Sequence, residues 1–331
     1  MSLAPRAVIV HRTTEYEELL ARHGTHGQAE FFLSSRGRSI REVAERHRRA
    51  GRALATVSAA VPPQWRRARV ERADLDRFLF APEDVVVVAG QDGLVANTAK
   101  YLDGQPVVGI DTDPGRNAGV LVRHRPGETG RLLRAAVARG AAVDELTMVE
   151  AVADDTQRLV ALNEIYLGRP DHQTSRYRLD LEGPGTPAGQ PETAGHTGPA
   201  GVAVGGGSHR GGGGVVGGDG EVQASSGVLV GTGTGATGWL RSLWRERGGS
   251  RSLPAPAEAR LLWFVREAWP SPATGTSLVE GDLTAGRRLR LTVESDRLVA
   301  FGDGMESDAL ELTWGQSVRV GVSDTSLRLL V

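Results

Sequence analysis

Apolar positions change their period partway along the chain. Ala7–His11 reads as a short strand, Glu15–Arg22 as a helix, Ile40–Arg49 as an amphipathic helix and Ala53–Val57 as a strand. Leu75–Phe80 reads as a short helix or turn. The unbroken β-branched run Val85–Val88 fits a strand buried on both faces, the habit of parallel sheets. A helix over Leu94–Leu102, a strand over Pro106–Ile110 and an amphipathic helix over Gly130–Arg139 follow. Strands alternating with helices predict βαβ units and a parallel sheet. After Asp144 the runs shorten and become strand-like: Thr147–Val152, Leu159–Leu167, Ser175–Leu181, Val228–Val230, Leu261–Arg266, Arg288–Glu294, Leu298–Phe301, Leu310–Leu312, Val318–Val322 and Leu327–Leu330. Turn residues separate most of them, which predicts antiparallel β structure. The expected architecture is α/β: a Rossmann-like domain over 1–124, then a β-rich, antiparallel domain over 125–331.

Residues 184–220 interrupt this pattern with Gly, Pro, Thr and Ala, including G-G-G-S-H-R-G-G-G-G. Such composition cannot offset its ordering entropy, so a flexible surface insertion is expected. A sharper alternative is a glycine lid that brings His209 or Arg210 to a phosphate.

Composition narrows the classes. The chain has 331 residues, 40% hydrophobic and 24% charged, which fits a soluble protein with substantial cores. A net charge of −1 gives no argument for nucleic acid or a membrane surface. Without cysteine, disulfides, thiolate metal sites and Cys nucleophiles are excluded. No apolar run approaches the ~20 residues that span a bilayer. The start M-S-L-A-P-R-A-V-I-V lacks a signal-peptide pattern, so a cytoplasmic location is expected. Lys100 is the single lysine, and the arginine bias is read as a coding bias rather than a sign of phosphate binding.

Candidate chemistry gathers at strand ends. Asp92 lies where the Val85 strand stops and a helix starts, the place where open α/β sheets bind ligands. Gly90 and Gly93 free the backbone for a tight turn and close approach to a ligand. A carboxylate there can accept a hydroxyl proton or hold a metal-bound phosphate; it can equally serve as a helix N-cap. Asp111, Asp113 and Arg116 follow the Pro106 strand. Asp113-Pro114 reads as a turn initiator, and Arg116 either pairs with phosphate or carries surface charge. Asn163 and Glu164 suit a base edge and a ribose hydroxyl, or a polar turn at a strand end. Thr232, Gly233, Thr234, Gly235 and Thr237 offer the N–H groups and hydroxyls of an anion cradle. It is not a Walker A loop, because the Gly-Lys-Ser/Thr end is missing. Trp239 suits ring stacking or a core at a helix start. Asp303-Gly304 reads as a hairpin turn, Arg266–Glu267 as an ion pair, and His23 and His26 as surface histidines rather than a zinc site.

Taken in order, G-Q-D-G at 90–93, G-I-D-T-D-P at 109–114, N-E at 163–164 and T-G-T-G-A-T-G-W at 232–239 resemble the NAD kinase family, with its GGDG, GIN-type strand end, NE pair and TGS-type loop. The T-D-P and T-G-T-G…W forms look most like its mitochondrial-type branch. The resemblance covers most of Val85 to the C-terminus, is weak before that and is absent over about 184–220. It implies an active site in the cleft between the two domains and a C-terminal segment that returns to the first. It also implies phosphoryl transfer from ATP, with Mg²⁺, to the 2′-hydroxyl of NAD, with polyphosphate as an alternative donor.

On this resemblance Asp92 is the catalytic residue that accepts the hydroxyl proton. Asp92→Asn is then expected to cost roughly 10²–10⁴-fold in rate with the fold intact. The substrate-binding set is Gly90, Gln91, Gly93, Asp111, Arg116, Asn163, Glu164, Thr232, Gly233, Thr234, Gly235, Thr237 and Trp239. No metal held directly by side chains is expected, and a homo-oligomer, a dimer, is. The chain departs from the family at Gln91, where glycine permits φ > 0, and at Asp111, Ala236 and Gly238. These changes keep two alternatives open: a kinase of the same fold with a nucleoside, nucleotide or sugar acceptor, and a non-catalytic nucleotide-binding homologue. An NAD-dependent dehydrogenase is disfavoured, since no G-x-G-x-x-G joins a first strand to its helix.

Overall fold

The computed structural model describes residues 4–116, 119–138, 140–183 and 220–331. The insertion expected over 184–220, with His209 and Arg210, lies outside the described residues apart from Gly220. The α/β half comprises β1 (Arg6–His11), α1 (Glu15–His23), α2 (His26–Ser34), α3 (Ile40–Ala59), β2 (Arg66–Glu71), β3 (Asp84–Gly90), α4 (Asp92–Ala99), β4 (Pro106–Asp111) and α5 (Thr129–Ala136). There follow β5 (Val143–Ala153), β6 (Arg158–Ala161), β7 (Glu164–Gly168), β8 (Ser175–Glu182), β9 (Glu221–Ser225), β10 (Gly227–Gly231) and α6 (Trp239–Glu246). The last elements are β11 (Arg260–Arg266), β12 (Glu280–Thr284), β13 (Arg288–Val293), β14 (Arg297–Gly302), β15 (Met305–Thr313) and β16 (Ser317–Leu330).

Two sheets result. The larger runs β2-β1-β3-β4-β16-β13-β8-β9, with β5 paired to β16 and β6 to β5. It is parallel from β2 to the C-terminal end of β16 and antiparallel beyond. The smaller, β12-β11-β10-β7-β14-β15, is antiparallel throughout. β16 ties the halves together: Val318 to Leu291 at one end, Leu329 to Val107 at the other.

The elements follow from their residues. Val85–Val88 are buried on both faces between β1 and β4, as a central parallel strand requires. Thr14 caps α1 in a reciprocal box with Glu17, satisfying N–H groups that the first helical turn leaves unpaired. The strand expected over Ala53–Val57 is instead the second half of α3. Ile40, Val43, Ala53 and Val57 form one buried helical stripe, so the 3.6 period extends through it. β2 escapes the apolar pattern because it is an arginine-rich edge strand that buries only Val70. The run expected over Leu159–Leu167 breaks at Leu162–Asn163, where the chain leaves the large sheet (β6) for the small one (β7). The two expected C-terminal strands are one, β16, with a register shift between Val322 and Ser326.

One core fills the space between the sheets, around Trp263, Tyr177, Ile165 and Val149. Two more flank the parallel strands, one under α4 and one under α3 and α5. Among the described residues no helix is long and apolar enough to cross a membrane.

Candidate functional site

The chain passes from β1 to β2 on one side of the sheet and then to β3 on the other. The ends of β1 and β3 therefore diverge at a topological switch point, where open α/β sheets form a crevice. A cleft of about 320 Å³ lies there, lined by Arg12, Thr13, Gly90, Gln91, Thr112 and Arg116 together with His47 of α3. Thr14 and His47 are joined at 2.8 Å between hydroxyl and Nδ1, and Arg46 is neutralised by Glu15 at 2.6 Å. Asp113 pairs with Arg49 at 2.6 Å. The guanidinium groups of Arg12 and Arg116 have no ion-pair partner among the described residues. Free guanidinium groups at parallel strand ends suit phosphate oxygens.

Gln91 enters this cleft without strain. It takes the N-cap position of α4 at φ −136° and ψ 169°, an extended conformation open to any residue. The slot does not require the positive φ that the glycine comparison suggested, so the backbone tolerates the side chain. The amide makes no capping bond and adds bulk to the cleft wall.

Asp92 turns away from the neighbouring Gln91. Its Oδ1 accepts the N–H groups of Leu121 (2.8 Å) and Val122 (3.0 Å), and its Oδ2 accepts that of Val120 (3.0 Å). A carboxylate offers about four lone-pair sites, so three are committed to holding the strand-end loop after β4. Asp111 caps the same loop, accepting the Asp113 N–H at 2.9 Å. Gly93 is open to solvent, with nothing near its Cβ position.

Asn163 and Glu164 meet the glycine loop. Thr232 donates its N–H to the Asn163 carbonyl (2.9 Å) and its hydroxyl to that of Leu162 (2.6 Å). The same hydroxyl accepts the N–H groups of Thr234 and Gly235. Glycine is required where the loop touches the pair: a Cβ on Gly235 would lie 2.4 Å from the Asn163 carbonyl oxygen. A Cβ on Gly233 would lie 2.2 Å from that of Ala255. Thr234 is buried, and its hydroxyl has no hydrogen-bond partner among the described residues. Thr237 is exposed. Trp239 faces elsewhere, stacked on Tyr166 with centroids 5.6 Å apart and under the Arg266 guanidinium.

Asp303 fastens this assembly. Asp303 and Gly304 have φ of 54° and 66°, the two left-handed positions of a tight hairpin turn between β14 and β15. The Asp303 carboxylate accepts the N–H groups of Leu162 (2.8 Å), Asn163 (2.7 Å) and Glu164 (3.3 Å). Burial pushes Asp303 up to about 6 in spite of these donors. Glu164 rises further, to about 8, through burial and then the adjacent Asp303 charge.

Helix α4 links the two places. Its N-terminus opens the cleft, while Asn97 donates to the Asp303 carbonyl (2.8 Å) and accepts from Arg72 (2.6 Å). Just beyond it, Lys100 is buried against Asp308 (2.7 Å) and the Gly302 carbonyl. Helix α4 thus connects the cleft that Arg12 and Arg116 line to the turn that holds Asn163 and Glu164. Sequence reasoning found no chemistry in the first 80 residues, yet Arg12, Thr13, Thr14 and His47 line the cleft. The signal available was H-R-T-T directly after an apolar strand.

The parallel α/β core joined to an antiparallel β-rich sheet is a fold that this chain shares with a solved kinase structure. A crystal structure of yeast NADH kinase complexed with NADH matches it with a TM-score of 0.53 and 13% identity, over 99% of this chain and 84% of that chain. No family model and no curated protein matches the sequence.

Proposed function

We propose that the protein is a phosphotransferase of the NAD kinase type, moving a phosphoryl group from ATP to the 2′-hydroxyl of NAD. The observation that carries this reading is the link through α4. One end borders a cleft where Arg12 and Arg116 have no ion pair among the described residues; the other touches the Asp303 turn that holds Asn163 and Glu164. Phosphoryl transfer needs little else from a protein than charge neutralisation for the donor and a positioned acceptor hydroxyl. Arg12 and Arg116 would meet the donor phosphates, and Asn163, Glu164 and Thr234 the acceptor. Mg²⁺ would enter with ATP, carried by its phosphates. The motif forms favour the mitochondrial-type branch; a dimer and a cytoplasmic setting belong to the same reading.

Gln91 favours a second reading, a kinase of the same fold with another acceptor, because its side chain narrows the cleft. A transfer assay with Mg·ATP and a panel of NAD, NADH, nucleosides, nucleotides and sugars separates the two. NADP formation supports the first, turnover of another acceptor supports the second, and silence across the panel overturns both.

A further inference from the structure

We propose that the cleft at the switch point has a side pocket for the base of a nucleotide, and that His47 selects a base carrying an amino group. The inference rests on the phosphotransferase reading above and deepens it by naming the residue that chooses the donor. A second cavity of about 120 Å³ adjoins the cleft of about 320 Å³. Arg12, His47, Ala89 and Thr112 border both, so the two spaces lie side by side. Pockets for whole ligands run from about 300 Å³ upward, so the smaller space suits one ring system and not a complete nucleotide. Its lining includes Ala50, Gly51 and Leu54 of α3, an apolar stretch of helix. Gly51 and Leu54 follow His47 by one and two helical turns and share its face of α3. Glycine is a poor residue for a helix interior. At Gly51 it leaves space open, since a Cβ there would meet no atom within 4 Å.

The capping box of α1 fixes what His47 presents to this space. Thr14 donates its hydroxyl proton to Glu17 Oε2 at 2.8 Å, and its N–H to the same oxygen at 2.8 Å. Burial works against the Glu17 charge, but these two donors outweigh it and hold the carboxyl below its usual range. Glu17 is therefore ionised and only accepts. Were the Thr14 hydroxyl turned to His47 instead, two oxygens would face each other at 2.8 Å with no proton between them. The hydroxyl proton is thus committed, and Thr14 Oγ1 accepts from His47 Nδ1 at 2.8 Å. In the neutral ring that leaves Nε2 without a proton, as an acceptor. Nε2 has no hydrogen-bond partner among the described residues. The Tyr16 ring packs against the imidazole, centroids 5.1 Å apart, and limits its rotation. A fixed acceptor beside an apolar slot pairs with the exocyclic amino group of a base and leaves an oxo group unpaired. Arg69 lines the same slot, has no ion pair among the described residues and supplies donors for a ring nitrogen. Adenine offers both partners, an amino donor beside a ring-nitrogen acceptor.

The test is calorimetric binding of Mg·ATP, Mg·ITP and inorganic tripolyphosphate to the full chain, at about pH 8, above the ordinary imidazole range. ITP keeps the shape of ATP but carries an oxo group in place of the amino group. Wild type should bind ATP roughly tenfold more tightly than ITP, the worth of one hydrogen bond. His47→Phe keeps a ring against Tyr16 and removes the acceptor, so the two nucleotides should then bind within about twofold of each other. Gly51→Leu puts a good helix former into open space, so the fold should survive, and a circular-dichroism melt checks both variants. It should weaken both nucleotides by roughly tenfold or more and leave tripolyphosphate binding unchanged. Equal binding of ATP and ITP by wild type overturns the inference. So does a His47→Phe variant that keeps the preference, or a Gly51→Leu variant that binds ATP as wild type does. The preference for ATP without transfer to any acceptor would overturn the phosphotransferase reading and leave the base pocket standing.

Discussion

Asp92 and Asp303 each hold three consecutive backbone N–H groups, Val120–Val122 in one case and Leu162–Glu164 in the other. Each is followed by glycine, and each fixes a loop at the site. Their surroundings differ. Asp92 opens a helix at the rim of a cleft, where the positive end of α4 favours its charge. Asp303 sits in a left-handed turn beside a second buried carboxyl, and burial outweighs its three donors. One hydrogen-bond pattern therefore serves two ends: an anchor at the cleft, and at the glycine loop an anchor that also lifts the proton affinity of its neighbour Glu164.

The largest expected effect comes from breaking the buried anchor. Asp303→Ala leaves three N–H groups without an acceptor and should destabilise the protein by about 3 kcal/mol in urea unfolding. A variant as stable as wild type would remove the anchor from the account. Asp92→Asn should be milder. Its amide keeps one acceptor oxygen but turns an NH₂ donor toward an N–H donor, an expected loss of about 1–2 kcal/mol. The fold survives so small a loss, and unfolding curves that match wild type would show that the three bonds add no net stability.

The contrast also predicts a pH effect of smaller size. Glu164 and Asp303 hold their protons in the folded state to about 8 and about 6, above their unfolded values. The stability they contribute is present below the ordinary carboxylate range and is lost as pH rises through those values. Tm should therefore fall between mildly acidic and alkaline pH, and Glu164→Gln should flatten the fall. A wild-type Tm that rises over this interval would contradict the raised values. Gln91→Gly should have the smallest effect, about 0.5 kcal/mol of added backbone freedom, since the native φ suits glutamine. A gain in stability on making that change would show that the glutamine is strained after all.

Much of the fold was legible because it is written locally. Val85–Val88 announce a central strand, and Asp303-Gly304 announces its hairpin. Asn163–Glu164 and Thr232–Gly235 could be named as motifs, and the structure brings them together. What stayed hidden depends on long-range contacts. Arg12 and His47 become cleft residues because β1 and β3 are neighbours at a switch point, which no single segment records. The partners of Asp92 lie nearly thirty residues downstream at Val120–Val122, whose apolar side chains do not mark the contact. The second half of α3 was misread because Ala53–Val57 is apolar enough for either period; its burial against Ile9 and Leu132 settles it as helix.

The central claim, that the cleft and the loop carrying Asn163 and Glu164 serve one transfer reaction, is tested most directly by following label from γ-labelled ATP into NAD. The account predicts labelled NADP, with the phosphate on the 2′-hydroxyl. Recovery of NAD without label, from a protein that binds both NAD and ATP, would contradict it.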